Sequence, residues 1–143
     1  MMLRVEGLKE LDRALLEMKS STARGVVRRV LTRAAEPIAE DMAARAPRDT
    51  GYLAEHIDTG IRLSRRQRSV SRKQSDVEVF AGATRVVQAT LAEFGTRDQS
   101  AQPFARPAWD AGKMRALADV KSGLADEIEK TAKRAAKRAA RGL

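Results

Sequence analysis

One tryptophan, one tyrosine and three phenylalanines are the only aromatic side chains in 143 residues. Three of them fall in Leu91–Ala111, LAEFGTRDQSAQPFARPAWDA, as Phe94, Phe104 and Trp109. Aromatic rings carry the largest buried areas in ordinary cores. A chain this poor in them must rely on aliphatic side chains and on alanine, which buries little area. Its length suits one domain with one modest core. The hydrophobic margin is thin, so a stabilising partner or an oligomer fits this composition. The aromatics, glycines and prolines gathered at 91–111 are expected to lock the last helix of the chain to a sheet.

Periodicity supplies the elements. Met2-Leu3-Arg4-Val5-Glu6 alternates like a short strand. Leu8, Leu11, Leu15 and Met18 recur at helical spacing, and Ser20, Ser21 and Thr22 break that helix and offer a cap for the next. Val27, Val30, Leu31, Ala34, Ile38 and Met42 share one face of a second, longer helix, with Pro37 inside it to kink it or remove one bond. That helix is expected to end near Ala46-Pro47. Pro47 to Gly51 is turn chemistry. Ile57, Thr59, Ile61 and Leu63 alternate as a strand, and Val77, Val79 and Ala81 as another. The polar run Arg65 to Gln74 between them reads as an extended, mobile basic loop. Thr84 to Phe94 is ambiguous: Val87, Leu91 and Phe94 have helical spacing, but the run is short and valine-rich at its start. A long helix is expected from Phe104, with Pro107 in its first turn and a stripe of Met114, Leu117, Val120, Leu124 and Ile128. The order gives an α+β fold: an antiparallel sheet packed against a kinked long helix, with N-terminal and C-terminal helices. Residues 1–130 are read as one domain and 131–143 as a basic helical tail.

Catalytic and metal-binding patterns are scarce. Cysteine is absent, which excludes disulfides, thiolate zinc sites and cysteine nucleophiles. His56 is the single histidine, flanked by Glu55 and Asp58 as in a general-base site, although a lone histidine at a strand start is more often structural. No phosphate-cradling glycine loop or nucleophile elbow is present. An enzyme is disfavoured, and no cofactor or metal is expected. No run approaches ~20 apolar residues, so no membrane span is expected. The segment MMLRVEGLKELDRALLEM lacks the apolar core of a secretion signal.

The formal net charge is +9. Arg62, Arg65, Arg66, Arg68, Arg72 and Lys73 form one basic group, and Lys133, Arg134, Lys137, Arg138 and Arg141 a second at a helix end. Either phosphates or an acidic protein surface would suit them, as would plain solvation. Neither group has interleaved aromatics, which argues against base stacking on single strands.

Three ordered segments carry a resemblance. Ala46-Pro47-Arg48-Asp49-Thr50-Gly51-Tyr52-Leu53, then Leu91-Ala92-Glu93-Phe94-Gly95-Thr96, then Gln102-Pro103-Phe104-Ala105-Arg106-Pro107-Ala108 resemble, in order and spacing, the segments of the neck or tail-completion (head–tail joining) family of lambda-like long-tailed bacteriophages and prophages. The start Gly7-Leu8-Lys9-Glu10-Leu11 also fits. The chain departs from that pattern at His56, where the family often has serine, and at Gln88-Ala89-Thr90, where it often has an aromatic. The length and charge of the basic loop are particular to this sequence.

The resemblance implies a non-enzymatic virion protein assembled in the bacterial host cytoplasm. It implies a closed ring, sixfold like the tail tube, between head-completion or portal-side proteins and the tail terminator or tail tube, with double-stranded DNA passing nonspecifically through the lumen. On this reading Asp49, Thr50, Gly51 and Leu53 form one fixed turn and its anchor, and Glu93, Phe94, Gly95 and Thr96 form another. Pro103, Phe104, Arg106, Pro107 and Trp109 anchor the last helix. The basic groups are expected to face acidic neighbours or the outside, because strong phosphate binding in the lumen would hinder DNA exit. A tail terminator or other tail-tube component is the nearest alternative. A small basic nucleic-acid-binding protein and a hydrolase using His56 are alternatives of other classes.

Overall fold

The computed structural model describes residues 7–84 and 86–142. The elements run α1 (Leu8–Glu17), α2 (Ser20–Arg45), α3 (Tyr52–Glu55), β1 (Ile57–Gly60), α4 (Arg65–Val70), β2 (Phe80–Ala83), α5 (Val87–Phe94) and α6 (Ala105–Arg141). The fold is α+β: β1 and β2 pair antiparallel, with Ile57 opposite Ala83 and Gly60 opposite Phe80, and α2 packs against both strands. The strand expected at Met2–Glu6 lies outside the described residues.

Helix α2 is the spine. Val26, Val30, Ala34, Ile38, Ala39 and Met42 are buried along it. The expected face was one residue off at its start, since Val26 is fully enclosed and Val27 only partly. The helix starts at Ser20, its N-cap is Lys19 and no side chain caps it, so Ser20 to Thr22 begin the helix rather than cap it as expected. Pro37 lies on the exposed side, and the helix continues through it. Its missing N–H leaves the Arg33 carbonyl without that helix bond.

Helix α6 lies along α2, and its main packing partner is this helix rather than the sheet. Glycine allows the approach. A Cβ on Gly112 would stand 2.8 Å from Ile38 Cγ1, and one on Gly123 3.0 Å from Val30 Cγ1. With Ala108 fully buried, the contact stripe is one of small residues, and Met114 of the expected apolar stripe is exposed. Two cores result. The larger joins the C-terminal half of α2 to Leu53, Ile57, Val86, Phe104 and Ala108. The smaller gathers Val26, Val30 and Leu124, with Leu11 and Leu15 of α1 and with Val120 and Ile128 packed against it. Between the helices, Arg29 and Arg33 each reach Glu127 at 3.3 Å. The Arg29 guanidinium, aided by Arg33 and Lys130, holds the Glu127 carboxyl below its usual range against the opposing effect of burial.

Two expectations fail between the strands. Both strands are shorter than their alternating patterns, and pairing stops at Gly60 and Phe80. The presumed loop contains α4, closed at its start by a capping box: the Gln67 N–H donates to Ser64 Oγ at 3.3 Å, and the Ser64 N–H donates to Gln67 Oε1 at 2.9 Å. Gln67 Nε2 also donates to the Ala83 carbonyl at 3.4 Å, which ties α4 to the end of β2. Two orphan helix-end donors satisfied reciprocally outweigh the polar composition that suggested a loop.

Candidate assembly site at the head of the last helix

The chain leaves α5 through Gly95, at φ 77°. A side chain there would be strained by the backbone and would meet Ala101 N at 2.8 Å, so glycine is required twice over. The polar gap after it is a closed turn. The Thr96 N–H donates to the Gln99 carbonyl at 2.9 Å, and the Gln99 N–H to Thr96 Oγ1 at 3.1 Å. The Gln102 N–H then donates back to the Ala92 carbonyl at 2.7 Å, which sets the start of α6 beside the end of α5.

Glu93 joins the two helices. Its side chain is 7% exposed, and it accepts from the backbone N–H of Phe104 at 2.8 Å, Ala105 at 2.9 Å and Arg106 at 3.0 Å. The N-cap residue Phe104 supplies no side-chain cap, so a carboxylate from eleven positions upstream satisfies the orphan donors of α6. Its charge also sits at the positive end of the helix dipole. Arg106 completes the unit: Nε donates to Glu93 Oε1 at 2.9 Å, a terminal nitrogen donates to the Glu93 carbonyl at 3.0 Å, and the guanidinium lies 4.8 Å from the Phe94 ring centre. Burial raises the Glu93 carboxyl, but the three backbone donors and Arg106 outweigh it and bring it from its usual 4.5 to about 2.

The structure thus brings Glu93, Phe94, Gly95, Phe104 and Arg106 into one unit, with Thr96 closing the turn beside it. Pro103 is exposed on the approach, and Pro107 is half-buried in the first turn of α6. At the other motif, Gly51 takes φ 79° ahead of α3, and the Tyr52 N–H donates to Thr50 Oγ1 at 3.4 Å. Asp49 and Thr50 are exposed, whereas Leu53 enters the same core as Phe104. The expectation that all the aromatics anchor the last helix is corrected. Phe104 is 3% exposed, but Phe94 is 65% and Trp109 55% exposed. The buried first turns of α6 face α2 through Ala108 and Gly112, and Trp109 stands beside that line. Helix α5 is inverted in the same sense. Its apolar stripe Val87, Leu91 and Phe94 faces outward, and Ala89, Ala92 and Glu93 face the protein.

His56 stacks on Tyr52 at 4.0 Å between ring centres, and its Nδ1 lies 2.7 Å from the Tyr52 carbonyl oxygen. Among the described residues no group of three or more acidic, histidine or cysteine side chains is placed to hold a metal ion, and no helix is long and apolar enough to cross a membrane. The first basic group divides. Arg62, Arg65, Arg68 and Lys73 line a groove of about 770 Å³, joined there by Arg28 of α2, while Arg66 and Arg72 are exposed outside its lining. Lys133, Arg134, Lys137, Arg138 and Arg141 are exposed on the last turns of α6, which continues without a break to Arg141.

Residues 9–95 match the family model described as "Bacteriophage HK97-gp10, putative tail-component". The chain belongs to this family. Membership makes it a bacteriophage tail component, a virion protein that works against other virion proteins. The matched HK97-gp10-like region runs from α1 to Gly95, so it contains the Asp49-Thr50-Gly51 turn and Glu93, and stops before the α6 residues that Glu93 caps. Comparison with curated proteins and with solved structures gave no match.

Proposed function

We propose that this tail component is a ring subunit of a phage neck, closing as a hexamer between the head-completion or portal-side proteins and the tail terminator or tail tube while the genome passes through the lumen. The observation that carries the reading is the outward apolar stripe of α5, Val87, Leu91 and Phe94, with Trp109 exposed as well. A tail component works against other copies or other virion proteins, and apolar side chains left uncovered by the subunit's own core suit such a contact. In a closed ring one face of a subunit meets a different face of the next. Asp49, Thr50 and the turn from Glu93 to Thr96 hold the backbone that shapes these faces. Residues 1–130 act as the ring domain. The basic extension 131–143 meets acidic neighbours or the outside rather than the lumen. The protein performs no catalysis in this role.

Electron microscopy of phage particles carrying a labelled copy tests the reading. The expected result is a sixfold ring at the head–tail junction, lost in particles made with Leu91→Asp. Label along the tube or at its distal end would make the protein a tail-tube component instead. Duplex-DNA binding by the isolated chain with a steep salt slope, and no ring in particles, would favour a nucleic-acid-binding protein.

A further inference from the structure

Pairing between β1 and β2 ends at Gly60 and Phe80, yet the chain on both sides keeps its strand-like alternation. The arms 61–63 and 77–79 separate, and among the described residues no backbone hydrogen bond joins them. The groove of about 770 Å³ described above opens at this divergence. Ile61, Leu63, Val77 and Phe80 supply apolar lining. Arg28, Arg62, Arg65, Arg68 and Lys73 supply the charge, and among the described residues none of the five lies within 4.0 Å of a carboxylate. Of the two acids there, Glu78 already accepts from the backbone N–H of Gln74 and Ser75. The volume lies in the range of clefts that bury a drug-sized ligand, roughly 300–1,000 Å³.

We propose that this groove binds an extended acidic segment of another protein, with carboxylates on the arginine and lysine rim, aliphatic side chains on the apolar lining and a backbone beside the open arms. Charge complementarity selects the occupant. A second copy is a poor one, because the chain carries a net charge of +9 and its own acidic–aliphatic alternations are already used: Glu10-Leu11-Asp12 and Glu127-Ile128-Glu129 lie within helices, and Asp76-Val77-Glu78 lines the groove itself. A DNA backbone offers phosphates but no aliphatic groups, so it would leave Ile61, Leu63 and Val77 without a partner. Alternating acidic and aliphatic residues on a strand use both parts of the site, since successive side chains point to opposite faces. The inference goes beyond the ring reading and does not depend on it.

The test is fluorescence anisotropy with the full chain and a labelled octapeptide of alternating glutamate and valine, beside the same peptide with alanine for valine and a short labelled DNA duplex. The valine peptide is expected to bind more tightly than either of the others. Arg65→Glu with Arg68→Glu should weaken it at least about tenfold, and Arg62→Ala with Lys73→Ala, outside α4, should weaken it in the same direction. Lys9→Glu with Arg13→Glu on α1 makes the same change in net charge as the first pair and should leave binding intact. Circular dichroism reports whether each variant folds. Wild-type binding by both groove variants, an equal loss in the α1 variant, or tighter binding of the duplex would each overturn the proposal.

Discussion

Among the described residues, Glu93 accepts more hydrogen bonds than any other side chain. Its carboxylate is nearly enclosed, and its partners are the N-cap residue Phe104 and the first two residues of α6. Replacing it with glutamine keeps the shape, removes the charge and presents an amide N–H₂ to a site built of donors. Glu93→Gln is expected to cost about 3 kcal/mol of subunit stability, read by urea unfolding. Because folding lowers the Glu93 carboxyl from 4.5 to about 2, the unfolded chain binds its proton first as pH falls. The contribution of Glu93 is therefore fully present above its unfolded value and is lost as pH drops from there through about 2. Glu127, lowered in the same direction, adds to the trend. Unfolding free energy measured at falling pH should decline across that window in the wild type and decline less in Glu93→Gln. Equal slopes in the two proteins would show that Glu93 is not the titrating group. Phe104 makes a simpler case. It is buried in the larger core, and Phe104→Ala is expected to cost ~3–5 kcal/mol. Unchanged monomer stability with lost assembly would place Phe104 at an interface instead.

Among the elements, the α2–α6 pair shows how a chain with so few rings packs. Two glycines let α6 come close enough for Ile38 and Val30 to fill the space where side chains would stand. Alanine at 112 gains about 1 kcal/mol of helix propensity and forces a methyl against a buried isoleucine. The second effect should win, and Gly112→Ala should lower the melting temperature. Combined with Ile38→Ala, it should cost less than the two single changes added together, because the two sites share one space. Neither glycine stood out in the sequence, since a glycine within a helical pattern looks like a weak point until its neighbour is known. Helices α1, α2 and α6 were legible because their apolar periodicity extends over several turns. The positive-φ turns were legible at Gly51 and Gly95, where the chemistry is local. Helix α4 carries a readable signal in Ser64 and Gln67, a cap pair set inside a run whose charge and polarity are those of a loop. The cap on α6 is different in kind. Glu93 lies too far along the chain from Phe104 for any helix-start rule to connect them, and its role appears only once the turn has folded back.

For the whole molecule, the distribution of apolar surface matters more than its amount. The larger rings and aliphatic chains near 87–109 are divided between one buried anchor, Phe104, and an outward group of Val87, Leu91, Phe94 and Trp109. Sequence periodicity identifies a stripe on α5 but points it the wrong way, because the side that faces the protein carries small residues and the charged Glu93, the pattern of a solvent face. Leu91→Asp should leave the circular dichroism spectrum and unfolding midpoint of the isolated chain nearly unchanged, since surface substitutions usually fall within about 0.5 kcal/mol. It should abolish incorporation into particles, measured by complementing a phage that lacks the gene. Normal incorporation would remove α5 from any subunit contact.

Helix α6 is 37 residues long, about 55 Å at 1.5 Å per residue, and its core contacts run only as far as Ile128. Beyond that point the helix itself sets the bearing of each charge. Lys133, Lys137 and Arg141 recur every four residues, as do Arg134 and Arg138, so the cations form adjoining rows. Each residue turns a helix by about 100°. Deleting one alanine just after Thr131 would therefore swing both rows about a quarter of the way round while altering neither charge nor, to any great degree, length. The tip of this helix is in effect a compass needle fixed to the body of the protein, and its heading can be reset one residue at a time.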